Sequence, residues 1–194
     1  MIQQYSEDAW DKHSLQLENE FQPCSFKGVE LISDCKASDP PPEELRWLRA
    51  TLKSLPKVDT ILDFGCGIGL FVGLFEGFNY TGADLTPLML QKAEERNPDR
   101  KFVRSDGLSL EKTFSKGAFD LVFTRAVIQH NLEPVKSKIV QNIYNVLRPG
   151  GYYLFHEHQF ILPGEARKET EEYMERFGFI LVGYYPTSCY LFQK

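Results

Sequence analysis

Apolar residues along this chain cluster in two ways, and the two alternate. Short runs of strand length come first: Val58 to Asp63, Asn79 to Asp84, Lys101 to Ser105, Phe119 to Arg125 and Tyr152 to His158. Between them, apolar positions recur at helical spacing. Leu45, Leu48, Leu52 and Leu55 predict an amphipathic helix over 43–54, stopped by Pro56. Thr86-Pro87 reads as an N-cap followed by proline in the first turn, opening a helix through Arg96. Val135, Ile139, Ile143, Val146 and Leu147 predict another over 134–147, ended by Arg148-Pro149-Gly150-Gly151. A helix over about 165–177 precedes two β-like runs, Phe179 to Tyr185 and Ser188 to Phe192. Their break at Pro186-Thr187 predicts an antiparallel pair. Strands alternating with helices make an α/β fold, a doubly wound and mostly parallel sheet with helices on both faces.

The stretch Ile61 to Phe75 organises the rest. A buried-strand pattern exits through Asp63, glycines follow at Gly65, Gly67 and Gly69, and an apolar run then predicts a helix to about Phe75. A strand turning sharply into a helix needs glycine where φ is positive or where a side chain would block a ligand. The first helical turn offers unpaired N–H groups, so this is a cofactor-binding turn. The spacing is G-x-G-x-G, whereas dinucleotide turns read G-x-G-x-x-G. Asp63 would repel a pyrophosphate but suits a cofactor carrying an ammonium group and a sulfonium. Asp63, Asp84, Asp106, Arg125 and Glu157 all fall at or near predicted strand ends, where ligands bind in such sheets.

Residues 1 to about 38 hold no period, although Leu15, Leu17 and Phe21 fit a short helix. Asp39-Pro40-Pro41-Pro42 forms a stiff lead-in to the first regular helix. The expectation is one domain over 1–194, with residues 1–42 as an N-terminal extension and 43–194 as the core. Tyr5 to Phe26, rich in aromatics, is expected to fold over the site as a lid.

Composition narrows the setting. A chain of 194 residues, 42% hydrophobic and 25% charged, is ordinary for a globular domain. The N-terminus lacks a signal-peptide pattern, and no apolar run approaches the roughly 20 residues that span a bilayer. Cys24, Cys35, Cys66 and Cys189 show no C-x-x-C spacing and read as reduced thiols of a cytoplasmic protein. A net charge of −5 disfavours a broad nucleic-acid surface.

The run D-F-G-C-G-I-G resembles the first motif of the class I S-adenosylmethionine-dependent methyltransferases. F-D-L-V-F-T-R-A-V-I-Q-H is similar to that family's fourth-strand segment, and L-R-P-G-G-Y-Y-L-F to the turn before its fifth strand in the small-molecule branch. The resemblance covers about residues 43–194 and implies a sheet of seven strands in the order 3-2-1-4-5-7-6, strand 7 antiparallel. It implies S-adenosylmethionine as cofactor and S-adenosylhomocysteine as product. Site roles follow position by position. Gly65 and Gly67, with Cys66 and Gly69 completing the turn, would admit the amino-acid and ribose portions. Asp63 would orient the ammonium, and Asp84 would accept from the ribose hydroxyls. Asp106, with the Gly107 or Leu108 amide, would read the adenine, flanked by Leu85 and Leu108. Thr124 and Arg125 would lie beside the methionine part.

The acceptor side rests on fewer residues. His130, His156 and His158 fall near the predicted mouth, and His130 and Glu157 are the catalytic candidates. A metal held by His156, His158 and Glu157 is disfavoured, and none is expected. The chain lacks the N/D-P-P-Y signature of amide and nucleobase amino methylators. The function implied is methyl transfer to oxygen, nitrogen or carbon of a small molecule, with no membrane partner. A protein or RNA methyltransferase and a non-catalytic cofactor-binding module are the alternatives; the oligomeric state stays open.

Overall fold

The structure, a computed structural model, describes residues 23–26, 29–32, 42–131, 133–157, 166–186 and 189–194. Nearly all of the expected lid, Tyr5 to Phe26, lies outside them. So does the short helix around Leu15 to Phe21. What is described of the extension is an antiparallel hairpin, β1 (Pro23–Phe26) and β2 (Val29–Ile32), in a two-stranded sheet of its own.

The core alternates as the apolar pattern requires. Helix α1 (Pro42–Ser54) leads into β3 (Thr60–Phe64) and β4 (Asn79–Asp84). Then come α2 (Pro87–Arg96), β5 (Lys101–Arg104), the short α3 (Leu110–Thr113) and β6 (Phe119–Arg125). Helix α4 (Val135–Val146), β7 (Leu147–His156), α5 (Ala166–Glu175), β8 (Ile180–Tyr185) and β9 (Cys189–Gln193) close the series. The sheet order is β5-β4-β3-β6-β7-β9-β8. Counted from β3, this is 3-2-1-4-5-7-6. β9 runs antiparallel to both β7 and β8, and the other pairs are parallel.

Side chains alternate across the strands because the pleat has period two. On one face Ile61, Leu121, Phe123, Leu154 and Leu191 pack against Leu48 and Leu52 of α1 and against Phe75. On the other, Leu62, Val122, Tyr153, Phe155 and Phe192 pack against Ile139, Val140, Ile143 and Val146 of α4. Each fully buried Leu, Ile or Phe contributes about 1.5–3 kcal/mol relative to exposure.

Two expected elements differ. The helix after the glycine turn is only a 3-10 turn, Val72–Phe75. Gly69 and Gly77 take positive φ (74° and 86°) on either side of it, and a helix cannot continue through that conformation. β7 starts at Leu147, not Tyr152, because Leu147 already pairs with Phe119 before a register shift.

At the pole away from the site, Asp120 ties strands together. Its Oδ2 accepts from the amides of Asp59 and Thr60 and from the Thr60 hydroxyl, and its Oδ1 pairs with Arg148 of the L-R-P-G-G turn. Partial burial works to raise its pKa, but these donors outweigh burial and hold it at about 2. Among the described residues no helix is long and apolar enough to cross a membrane.

Candidate functional site

The glycine turn is shaped by close approach. A Cβ on Gly65 would lie 2.2 Å from Val127 Cγ2, so the turn after β6 presses directly on this residue. Gly67, at φ 53°, differs: nothing lies within 4 Å of where its Cβ would be. The left-handed backbone there faces open space at the strand ends. Gly65 and Cys66 both donate their amides to Ala83 O (2.7 and 3.1 Å), which locks the turn to β4.

Asp84 bridges two turns. Its Oδ2 accepts from Gly67 N and its Oδ1 from Thr86 N, each at 2.9 Å. Burial raises its pKa and these amides work to lower it. Each carboxylate oxygen has a second lone pair, so the amide bonds leave acceptor capacity for ribose hydroxyls. In the register Phe64 pairs with Ala83, which places Asp84 beside the glycine turn.

Asp63 is 3% exposed, and its Oδ2 accepts from the Tyr80 hydroxyl at 2.8 Å. Burial pushes its pKa up to about 7; Tyr80 works against this, Asp84 with it, and Arg125 against it. Buried Asp63 and half-buried Asp84 feel each other's charge, so the site favours a cationic group. That donor set fits a group carrying an ammonium and a sulfonium.

Asp106 follows β5, and its Oδ1 accepts from Ser109 N at 2.6 Å. Gly107 is packed tightly against Ile139, and its carbonyl accepts from Asn142 Nδ2 at 2.8 Å. Leu85 is half-buried and Leu108 is 49% exposed.

Beyond β6 the geometry differs from the sequence expectation. Thr124 is buried, its hydroxyl bonded to Tyr153 OH (3.0 Å) and Glu157 Oε1 (3.1 Å), so its side chain is turned into the core. Glu157, expected as a catalytic candidate at the mouth, is 2% exposed. Its Oε1 accepts from the Val127 and Ile128 amides and its Oε2 from the Gln129 amide, at 3.0 to 3.2 Å. It therefore holds the N-terminal end of the 3-10 turn Ile128–His130 from beneath. Burial and these three amides give the carboxylate a turn-shaping role. Ala126, just before, takes φ 53°, a strained conformation for a residue with a Cβ. The backbone of His130 ends this turn. Its side chain, like all of His158, lies outside the described residues.

Two residues were missed at the sequence level. Tyr80 is one. The other is Glu44, buried on the same helical stripe as Leu48 and Leu52 at steps of four. A carboxylate inside an apolar stripe was the available signal. Glu44 Oε2 lies 3.3 Å from Nε2 of His156, which is 0% exposed, and Arg125 Nε donates to His156 Nδ1 at 3.1 Å. Cys189 joins them, and ligand-type atoms of Glu44, His156 and Cys189 lie within 4.8 Å of one another. A metal-bound histidine normally donates its other ring N–H to an acceptor. Here that nitrogen accepts from a guanidinium, which does not suit a metal-bound histidine.

Comparison with known proteins agrees with this geometry. The sequence pattern of a methyltransferase domain matches residues 62–155. The chain is 34% identical over 106 residues to 2-methyl-6-phytyl-1,4-hydroquinone methyltransferase of Synechocystis, covering 52% of this chain and 32% of that protein. It is 27% identical over 112 residues to a tRNA (carboxymethyluridine(34)-5-O)-methyltransferase of Arabidopsis thaliana, covering 56% and 27%. The chain thus spans about a third of the length of these relatives. Phosphoethanolamine N-methyltransferase 2 of Haemonchus contortus was solved with phosphomonomethylethanolamine and S-adenosylhomocysteine. It superposes with a TM-score of 0.59 at 25% identity, over 71% of this chain and 37% of that one. With the seven-strand order, the glycine turn and the strand-end carboxylates, these matches converge: residues 62–155 carry a methyltransferase domain, on the fold of the class I S-adenosylmethionine-dependent methyltransferases.

Proposed function

We propose that this chain transfers the methyl group of S-adenosylmethionine to an oxygen, nitrogen or carbon atom of a small molecule. The observation that carries the reading is the pair of carboxylates, buried Asp63 and half-buried Asp84, at the ends of adjacent strands beside the open side of Gly67. Asp63 would take the ammonium and Asp84 the ribose hydroxyls. Asp106 and the Gly107 or Leu108 amide would read the adenine between Leu85 and Leu108. When bound, the cofactor supplies a methyl group made electrophilic by the sulfonium. Positioning two reactants in line supplies much of the acceleration in such a displacement. The chain's own work is therefore to orient, to exclude water and to accept a proton from the acceptor where one is released. His130 is the candidate for that proton.

The small-molecule acceptor draws support from the net charge of −5, which disfavours a broad surface for RNA, and from the hydroquinone and phosphoethanolamine methylators among the similar proteins. Cys66 and Cys189 are buried cysteines, which supports a cytoplasmic setting. The rival acceptor is tRNA, on which the Arabidopsis relative acts by its name. The test is incubation of the protein with methyl-labelled cofactor and cell extract, followed by separation of small molecules, RNA and protein. Label in the low-mass fraction is expected. Label confined to RNA would replace the small-molecule reading with the tRNA one. Cofactor binding with no label in any fraction would favour a non-catalytic module.

A further inference from the structure

On the α1 face of the sheet, a line of polar side chains runs from the helix to the cofactor site. Glu44 Oε2 lies 3.3 Å from His156 Nε2, and Arg125 Nε lies 3.1 Å from His156 Nδ1. The Arg125 guanidinium stacks over the Phe71 ring at 4.8 Å. Its charge reaches Asp63, whose carboxyl it works to hold down. Tyr80, the hydrogen-bond partner of Asp63, and Phe71 belong to the same apolar cluster as Leu48 of α1.

The direction of the Arg125–His156 contact follows from its donor. A guanidinium only donates, so His156 Nδ1 is the acceptor in this contact and Nε2 is the ring atom nearest Glu44. The imidazole therefore sits between a carboxylate, 3.3 Å away without a formed hydrogen bond, and a guanidinium from which it accepts. That arrangement fixes the plane and position of Arg125 from one side while Phe71 fixes it from the other.

The amino-acid end of S-adenosylmethionine carries an ammonium and a carboxylate on one carbon. Asp63 answers the first charge. We propose that Arg125 answers the second, and that Glu44 and His156 are positioning residues that hold its guanidinium beside Asp63. The inference rests on the cofactor assignment and goes beyond it. The pair reads the zwitterion, and α1, the helix that follows the N-terminal extension, sets the geometry of the reading head.

The test compares two ligands by calorimetry. One is S-adenosylhomocysteine. The other is the analogue without its α-carboxylate, 5′-deoxy-5′-(3-aminopropyl)thioadenosine. His156→Leu keeps roughly the volume of the ring and removes the acceptor for Arg125. It is expected to lose tenfold or more in affinity for S-adenosylhomocysteine, the scale of a hydrogen bond to a charged group. Its affinity for the analogue should stay within about twofold. His156→Asn, whose side-chain carbonyl supplies an acceptor near the Nδ1 position, should recover most of the loss. If His156→Leu does not fold, Arg125→Met, which keeps the packing on Phe71, should show the same discrimination between the ligands. A purely structural role would weaken both ligands equally, and that result would overturn the proposal. No loss for either ligand, or no recovery by the Asn variant, would overturn it as well. Wild-type protein that binds neither ligand would instead overturn the cofactor assignment on which it stands.

Discussion

The Tyr80 hydroxyl donates to Asp63 Oδ2 across 2.8 Å, and both side chains are buried. Burial leaves Asp63 with a pKa of about 7 against 3.8 for an ordinary aspartate, even with this hydrogen bond opposing the shift. The sign of the consequence follows by linkage. Between about pH 4 and 7 the folded protein holds a proton that the unfolded chain has released. Without cofactor, stability is then greatest below that window and falls as pH rises through it. Asp63→Asn should be more stable than wild type at pH 8 and about equal to it at pH 4, read by thermal melting.

Cofactor binding should show the reverse slope. The ammonium calls for ionised Asp63, so affinity for S-adenosylhomocysteine should rise with pH by up to about tenfold per unit below 7 and flatten above it. Tyr80→Phe removes the group that lowers the Asp63 pKa and should move this curve to higher pH. A wild-type profile flat from pH 5.5 to 8 would count against Asp63 as the ammonium partner.

Asp84→Ala should do two things at once. It removes the acceptor proposed for the ribose and frees the Gly67 and Thr86 amides. Affinity for S-adenosylhomocysteine should fall by roughly 1.5–3 kcal/mol, and melting temperature should fall with it. A variant with unchanged affinity would place the ribose acid elsewhere.

Glu157 and His130 separate by opposite signatures. Glu157→Gln turns an amide group toward the backbone N–H groups that the carboxylate accepts, at a cost of about 1–3 kcal/mol of stability. The shape of its pH–rate profile should survive. His130→Gln should lose about 10²–10⁴-fold in turnover, the usual worth of general base assistance, with cofactor affinity intact and the acidic limb of the profile gone. Near-normal turnover by the Gln variant from pH 6 to 8 would remove His130 from catalysis.

Asp120 gives a stability prediction remote from the site. Its pKa of about 2 lies below the unfolded value, so its contribution is present above about pH 4 and lost as pH falls toward 2. Asp120→Asn should lower stability at pH 7 by on the order of 1 kcal/mol, allowing for solvent screening of a partly exposed pair. At pH 2 the variant and the wild type should converge.

The sheet was legible because strand-length apolar runs and helical stripes are one-dimensional patterns, and Leu48, Leu121 and Ile143 declare their burial by spacing. The strand-end carboxylates were legible for the same reason: Asp63 and Asp84 close such runs. What escaped depends on contacts distant in sequence. The 3-10 turn at Val72–Phe75 follows from the φ of Gly69 and Gly77, which composition does not reveal. Glu157 was assigned a chemical role because it ends a strand. That it serves three amides 28 to 30 residues away is visible only in three dimensions. Thr124 is similar: its place at the strand tip was readable, but not that it faces Tyr153.

The contact between Gly65 and Val127 has a further consequence. With 2.2 Å to the place of a Cβ, there is no slack between the turn proposed to hold the cofactor and the turn that leads to His130. The two behave as a single mechanical part, braced from below by Glu157. A lineage or a laboratory that wished to change which molecules are methylated would find positions 125–128 unforgiving. Novelty in acceptor choice should accumulate after Gln129 instead, beyond the amides that Glu157 holds. A library randomised there should yield altered acceptor preference among variants that still bind S-adenosylhomocysteine, while one randomised at 125–128 should yield chiefly variants that have lost it.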